Sequence, residues 1–139
     1  MAHEPCLPGS PEEWLRHARS DLAVARQPCP PEVLLETLCF HAQQTAEKSL
    51  KAVLAARQIP FPYTHDLARL ITLVRSAGLP WRDELDATAG LAPYAVAVRY
   101  PGTGPAVSPD EHREAIRLAE AVLAWAEAIV PTLPTTDDH

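Results

Sequence analysis

Apolar residues recur along this chain at spacings of three and four, the period of an amphipathic α-helix, and no stretch shows the alternation of a strand. Trp14, Leu15, Ala18, Leu22 and Ala25 share one face of a first helix, expected from about Pro11 to Arg26. Ser10-Pro11-Glu12-Glu13 opens it: the serine oxygen can accept an orphan amide, Glu13 can reach back, and proline suits the first helical position. Cys29-Pro30-Pro31 ends it. A long second helix is expected from about Pro31 to Arg57, the spine of the fold. With each residue advancing about 100°, Leu35, Leu38, Cys39, Ala42, Ala46, Leu50 and Val53 fall on one arc. Gln43, Gln44, Glu47, Lys48 and Lys51 fall on the opposite, polar side, together with Phe40.

Ile59 to Tyr63, with prolines at 60 and 62, reads as an extended linker. Thr64 can then cap a third helix running to Ala77, with Leu67, Leu70, Ile71 and Val74 inward and Gly78 closing it. A fourth helix, about Trp81 to Val98, is expected to break near Pro93. Pro101 to Pro109 is a Gly/Pro-rich loop, and Ser108-Pro109-Asp110-Glu111 repeats the first capping box ahead of a last helix to about Val130. Its stripe is Ile116, Ala119, Val122, Leu123, Ala126 and Val130. The pattern predicts an all-α fold: an up-and-down bundle of four main helices with an additional short or broken one, forming a dimer. All 139 residues belong to one domain, with its core over about 11–130 and a polar tail over 131–139.

The 15 prolines stand at the ends of periodic segments, Pro93 excepted, and so act as punctuation. The net charge of −6 excludes a nucleic-acid binder of the usual basic kind, although Lys48, Lys51, Arg57, Arg99, Arg113 and Arg117 lie away from the acidic ends. Cys6, Cys29 and Cys39 show no CxxC or zinc spacing, and their odd number suits a reducing compartment. With no cationic, apolar leader and no apolar run of membrane-spanning length, the chain is expected to be cytoplasmic.

The chemistry-bearing residues gather in three places. Glu47 and Lys51 form an i,i+4 pair in the favourable order, which a solvated helix face explains with about 0.3–0.5 kcal/mol of stabilisation. Phe40 on the same side, and the donors and acceptors of Gln43 and Gln44, point instead to a subunit interface made of Phe40, Gln43, Gln44 and Glu47. His65 and Asp66 follow a helix cap. Asp66 favours the positive end of the helix, and His65 either packs or serves as a proton-transfer or phosphate-contacting group. Arg99-Tyr100-Pro101 closes the fourth helix, where a cation is favourable; alternatively Arg99 grips a phosphate and Tyr100 offers a stacking face. There is no Glu-x-x-His pair, no HExxH and no P-loop, and Gly102-Thr103-Gly104 follows no strand, so di-iron, zinc-protease and dinucleotide chemistry are excluded. No metal or other cofactor is expected.

The sequence Phe40-His41-Ala42-Gln43-Gln44 with Glu47-Lys48 and Leu50-Lys51-Ala52, then Thr64-His65-Asp66-Leu67, then Arg99-Tyr100-Pro101, resembles the HEPN family of small helical nucleotide-associated domains. The resemblance spans roughly Glu13 to Ile129. It implies a homodimer that works with a minimal nucleotidyltransferase, in many cases as a toxin–antitoxin pair, with nucleotide or RNA contacted through Lys48, Lys51, Arg99, Tyr100 and His65. Many HEPN members are metal-independent RNases that use an arginine followed, after four to six residues, by a histidine. Here that histidine would fall at 104 to 106, which are Gly104, Pro105 and Ala106. The resemblance therefore implies an interaction module first, and an RNase only through an unusual pairing of Arg99 with His65 or His112.

Overall fold

The computed structural model describes residues 9–95 and 106–132; Arg99, Tyr100 and Pro101 lie outside the described residues. Among the described residues every regular element is helical: α1 Pro11–Ala25, α2 Leu35–Ala56, α3 Leu67–Ser76 and α4 Pro109–Ile129, with 3₁₀ segments at Asp83–Ala95 and Val130–Thr132. The all-α expectation is met.

Both capping boxes form. Ser10 Oγ accepts from the Glu13 amide at 3.1 Å while the Ser10 amide donates to Glu13 at 2.9 Å. Ser108 and Glu111 repeat the exchange at 3.1 and 2.8 Å. Elsewhere the boundaries differ from expectation for local reasons. The Val33 amide donates to the Pro30 carbonyl and closes a turn, so α2 begins at Leu35 instead of Pro31, with no side-chain cap. At α3 the cap is Asp66, whose carboxylate accepts from the Arg69 amide at 3.2 Å; Thr64 Oγ1 instead takes the Asp66 amide. The segment expected as a broken fourth helix is 3₁₀ over Asp83–Ala95, with Pro93 inside it. Gly90 and Pro93 both disfavour the α form there.

α2 is the spine, packed against α1, α4, α3 and the 3₁₀ segment Asp83–Ala95. Leu15, Ala18, Leu22 and Ala25 of α1, Leu50, Val53 and Leu54 of α2, Leu67, Leu70 and Val74 of α3, and Ala119, Val122 and Ala126 of α4 are buried together. Truncating one such leucine costs about 2–5 kcal/mol. Thr45 Oγ1 donates to the Ala18 carbonyl at 3.3 Å, so α1 and α2 approach closely at small residues. Burial, with the charges of Glu111 and Glu36, pushes the Cys39 thiol up to about 11, leaving it unreactive at neutral pH.

One expectation is corrected. α2 has no solvent-facing polar side through its middle: Gln43, Gln44, Thr45, Glu47, Ser49 and Lys51 are all buried within the chain. Gln43, Gln44 and Glu47, expected at a subunit interface, are covered by their own chain, and the polar side chains are satisfied by one another and by the segments around them.

Candidate functional site

Gln43, Gln44 and Lys51, among the enclosed polar side chains, converge on the Glu47 carboxylate. Lys51 Nζ donates to Glu47 Oε2 at 2.8 Å, one helical turn away. His65 Nδ1 lies 2.9 Å from Glu47 Oε1, and Gln43 Nε2 donates to the same oxygen at 3.2 Å. Gln44 Nε2 donates to Gln43 Oε1 at 2.7 Å and the Gln43 amide reaches the His65 carbonyl at 3.4 Å, so α2 also holds the backbone that leads into α3. The side chains of Glu47 and Lys51 are each 3% exposed, whereas that of His65 is 65% exposed. The array therefore runs from a buried lysine, through a buried carboxylate, to an imidazole at the surface.

The aromatic residues of α1 and the linker enclose the lysine. Its ammonium lies 5.5 Å from the Trp14 ring centroid and 5.8 Å from that of Phe61, within cation–π range. The two rings meet edge to face at 6.2 Å. Burial alone would raise the Glu47 carboxyl. The hydrogen bond and charge of Lys51, then the bonds from His65 and Gln43, outweigh it and hold Glu47 below the ordinary glutamate value. Glu47 is thus a carboxylate at neutral pH.

A second carboxylate makes a related set of bonds between α1 and α2. Asp21 accepts from Lys48 Nζ at 2.7 Å and from His41 Nδ1 at 2.9 Å. All three side chains are partly exposed, and the His41 ring meets the half-buried Phe40 edge to face at 5.3 Å.

The residues singled out in the sequence separate accordingly. Glu47, Lys51, His65, Gln43 and Gln44 are brought together; Lys48 belongs to the Asp21 cluster. Lys51 is enclosed and cannot touch a ligand from solvent. His112 is elsewhere: its Nε2 lies 2.9 Å from the Ala25 carbonyl, to which it donates, tying the start of α4 to the end of α1. Near that end the Val107 amide donates to Glu36, eleven residues before Glu47 and so about 16 Å along α2. Sequence reasoning missed Asp21, which sits at an ordinary polar position of α1, and Phe61, which sits between prolines. The position of Trp14 on the inward face was legible, but its contact with a lysine was not.

Other features are of a different kind. A cavity of 360 Å³ lies between the 3₁₀ segment Asp83–Ala95 and the first turns of α4, floored by Leu91, Ala115 and Leu118. Two of its rim carboxylates, Asp110 and Glu114, pair with Arg113 and Arg117, and Glu111 closes the capping box. Among the described residues no helix is long and apolar enough to cross a membrane. None of their histidines, cysteines and carboxylates gather in a group of three or more able to hold a metal.

The profile of the HEPN domain matches residues 11–129, nearly the whole chain. No curated protein and no solved structure matches it.

Proposed function

The chain belongs to the HEPN family, and from that premise we propose that it is a dimeric nucleotide-binding and interaction module serving a nucleotidyltransferase partner in a toxin–antitoxin-like pair. The observation that carries this reading is the disposition of the histidines. His112, the histidine nearest in sequence after Arg99, donates its Nε2–H to the Ala25 carbonyl as a tie between helices. His65 is exposed and held from behind by an ionised glutamate, as a ligand-contacting group requires. The ligand contacts narrow to His65 and to Lys48, which retains partial exposure beside Asp21; Arg99 and Tyr100 remain part of the proposal. Lys51 acts from within, as the counter-charge of Glu47. The dimer contact narrows to Phe40, because Gln43, Gln44 and Glu47 are enclosed by their own chain.

Light scattering on the chain alone, and on the chain produced together with a minimal nucleotidyltransferase, tests this. A dimer that takes up the partner and leaves total RNA intact in the presence of EDTA is the expected result. A monomer indifferent to the partner overturns it. Cleavage of RNA in EDTA, lost in Arg99→Ala, replaces it with the metal-independent RNase reading.

A further inference from the structure

The bond between His65 and Glu47 determines more than a position. A carboxylate oxygen can only accept, so the hydrogen between the two groups rests on His65 Nδ1. In the neutral ring Nε2 then carries a lone pair. No described residue bonds to Nε2, and the side chain is 65% exposed, which leaves this acceptor for a ligand. The backbone is fixed as well, since Gln43 Nε2 donates to the His65 carbonyl. His41 shows that the same bond can be made without the same result: its Nδ1 is held by Asp21, but its ring packs against Phe40 and is much less exposed.

The neighbouring charges select against an anion. A helix N-terminus such as that of α3 ordinarily attracts phosphate. Here Asp66 occupies it, its carboxylate accepting from the Arg69 amide. The Lys51 charge behind His65 is matched by Glu47 and enclosed. In its neutral form the ring therefore presents a fixed acceptor beside a carboxylate, which suits a neutral hydrogen-bond donor better than a phosphate.

We infer that His65 Nε2 accepts a hydrogen bond from a ribose hydroxyl of the bound nucleotide or RNA, and that Glu47 is the positioning residue that holds His65 in this acceptor tautomer. The inference rests on the nucleotide-binding reading for its ligand, and on geometry alone for the tautomer. Lys51 takes part by keeping Glu47 ionised.

Nitrogen-detected NMR of the full chain labelled in histidine, at mildly alkaline pH where imidazole is neutral, reads the tautomer directly. His65→Gln identifies the signal by its loss. The expected state is Nδ1–H with Nε2 unprotonated. In the double variant Glu47→Gln, Lys51→Met, which removes both buried charges and keeps their bulk, His65 relaxes toward the tautomer mixture of free imidazole. An Nε2–H tautomer in the parent chain, or no change in the double variant, overturns the inference.

The ligand arm uses an equimolar mixture of the four ribonucleoside monophosphates against their 2′,3′-dideoxy counterparts, and a random hexaribonucleotide against its deoxy equivalent. The His65 Nε2 signal should move with the hydroxyl-bearing member only, and binding of the other member should be roughly three- to tenfold weaker. A response to mononucleotides identifies free nucleotide as the source; a response to the hexamer alone identifies RNA. Binding seen elsewhere in the spectrum with His65 silent, or equal responses within a pair, overturns the inference and leaves the nucleotide-binding reading standing. If no resonance anywhere moves, both fall.

Discussion

Asp21 and Glu47 each accept one bond from a histidine Nδ1 and one from a lysine ammonium. Their surroundings differ. The Asp21 cluster lies across the α1–α2 contact with every member partly in water. In the Glu47 cluster the carboxylate and lysine are enclosed and only the histidine emerges. A shared histidine–lysine pairing thus has different consequences. A carboxylate partly in contact with water can exchange a lost partner for it, whereas an enclosed one cannot, so its state is passed on to whatever it touches. Here that is an imidazole at the surface.

The largest expected effect comes from removing one member of the enclosed pair. Glu47→Ala leaves the Lys51 ammonium between Trp14 and Phe61 with no counter-charge and should cost about 3–5 kcal/mol in urea unfolding at neutral pH. Asp21→Ala should cost less, about 1–3 kcal/mol, because Lys48 and His41 turn to solvent. Equal losses would erase the distinction between the clusters. The double variant Glu47→Gln, Lys51→Met should recover most of the Glu47→Ala loss, since an enclosed ion pair replaced as a unit by neutral groups of similar volume is often no less stable.

Acid sharpens the same contrast. The Glu47 carboxyl lies below its ordinary value in the folded chain, so the unfolded chain binds the proton first as pH falls. Its contribution is fully present above the ordinary glutamate range, near pH 4.3, and is lost as pH drops through the lower folded value. Glu13, held down by the Ser10 amide, and Glu114, by Arg117, share this sign. The informative quantity is therefore the difference between the parent chain and the double variant. The parent should lose stability more steeply in acid, as read by urea midpoints over a pH series, and parallel curves would remove Glu47 as a source.

How much of this was legible in the sequence follows from the range of the interactions. The two capping boxes depend on residues three apart, and both formed as expected. The apolar stripes of α1, α3 and α4 depend on periodicity and face the core as read. The polar side of α2, read as a subunit interface, is covered by its own chain, which a helical wheel cannot show because it carries no information on distant segments. What lies there instead is the linker and its Phe61, sixteen residues beyond Thr45 and outside any periodic pattern. For Glu47 and Lys51, i,i+4 spacing identified the partners and gave no sign of their enclosure. Asp21 carries no local mark at all, since both its partners lie on another helix.

The smallest expected effect separates the two lysines. Lys48→Met leaves Asp21 with His41 and access to water, so its cost should be about 1 kcal/mol or less and should shrink further in molar salt, where exposed charges are screened within about 3 Å. Lys51→Met leaves Glu47 enclosed with His65, Gln43 and Gln44 as its remaining donors, and ions in solution cannot approach it. Its cost should exceed that of Lys48→Met and change little with salt. Urea unfolding of both variants at low and molar sodium chloride measures this. A salt response from Lys51→Met as large as that from Lys48→Met would mean that solvent reaches the Glu47 cluster, and Glu47 would then no longer be shielded enough to fix the imidazole in front of it.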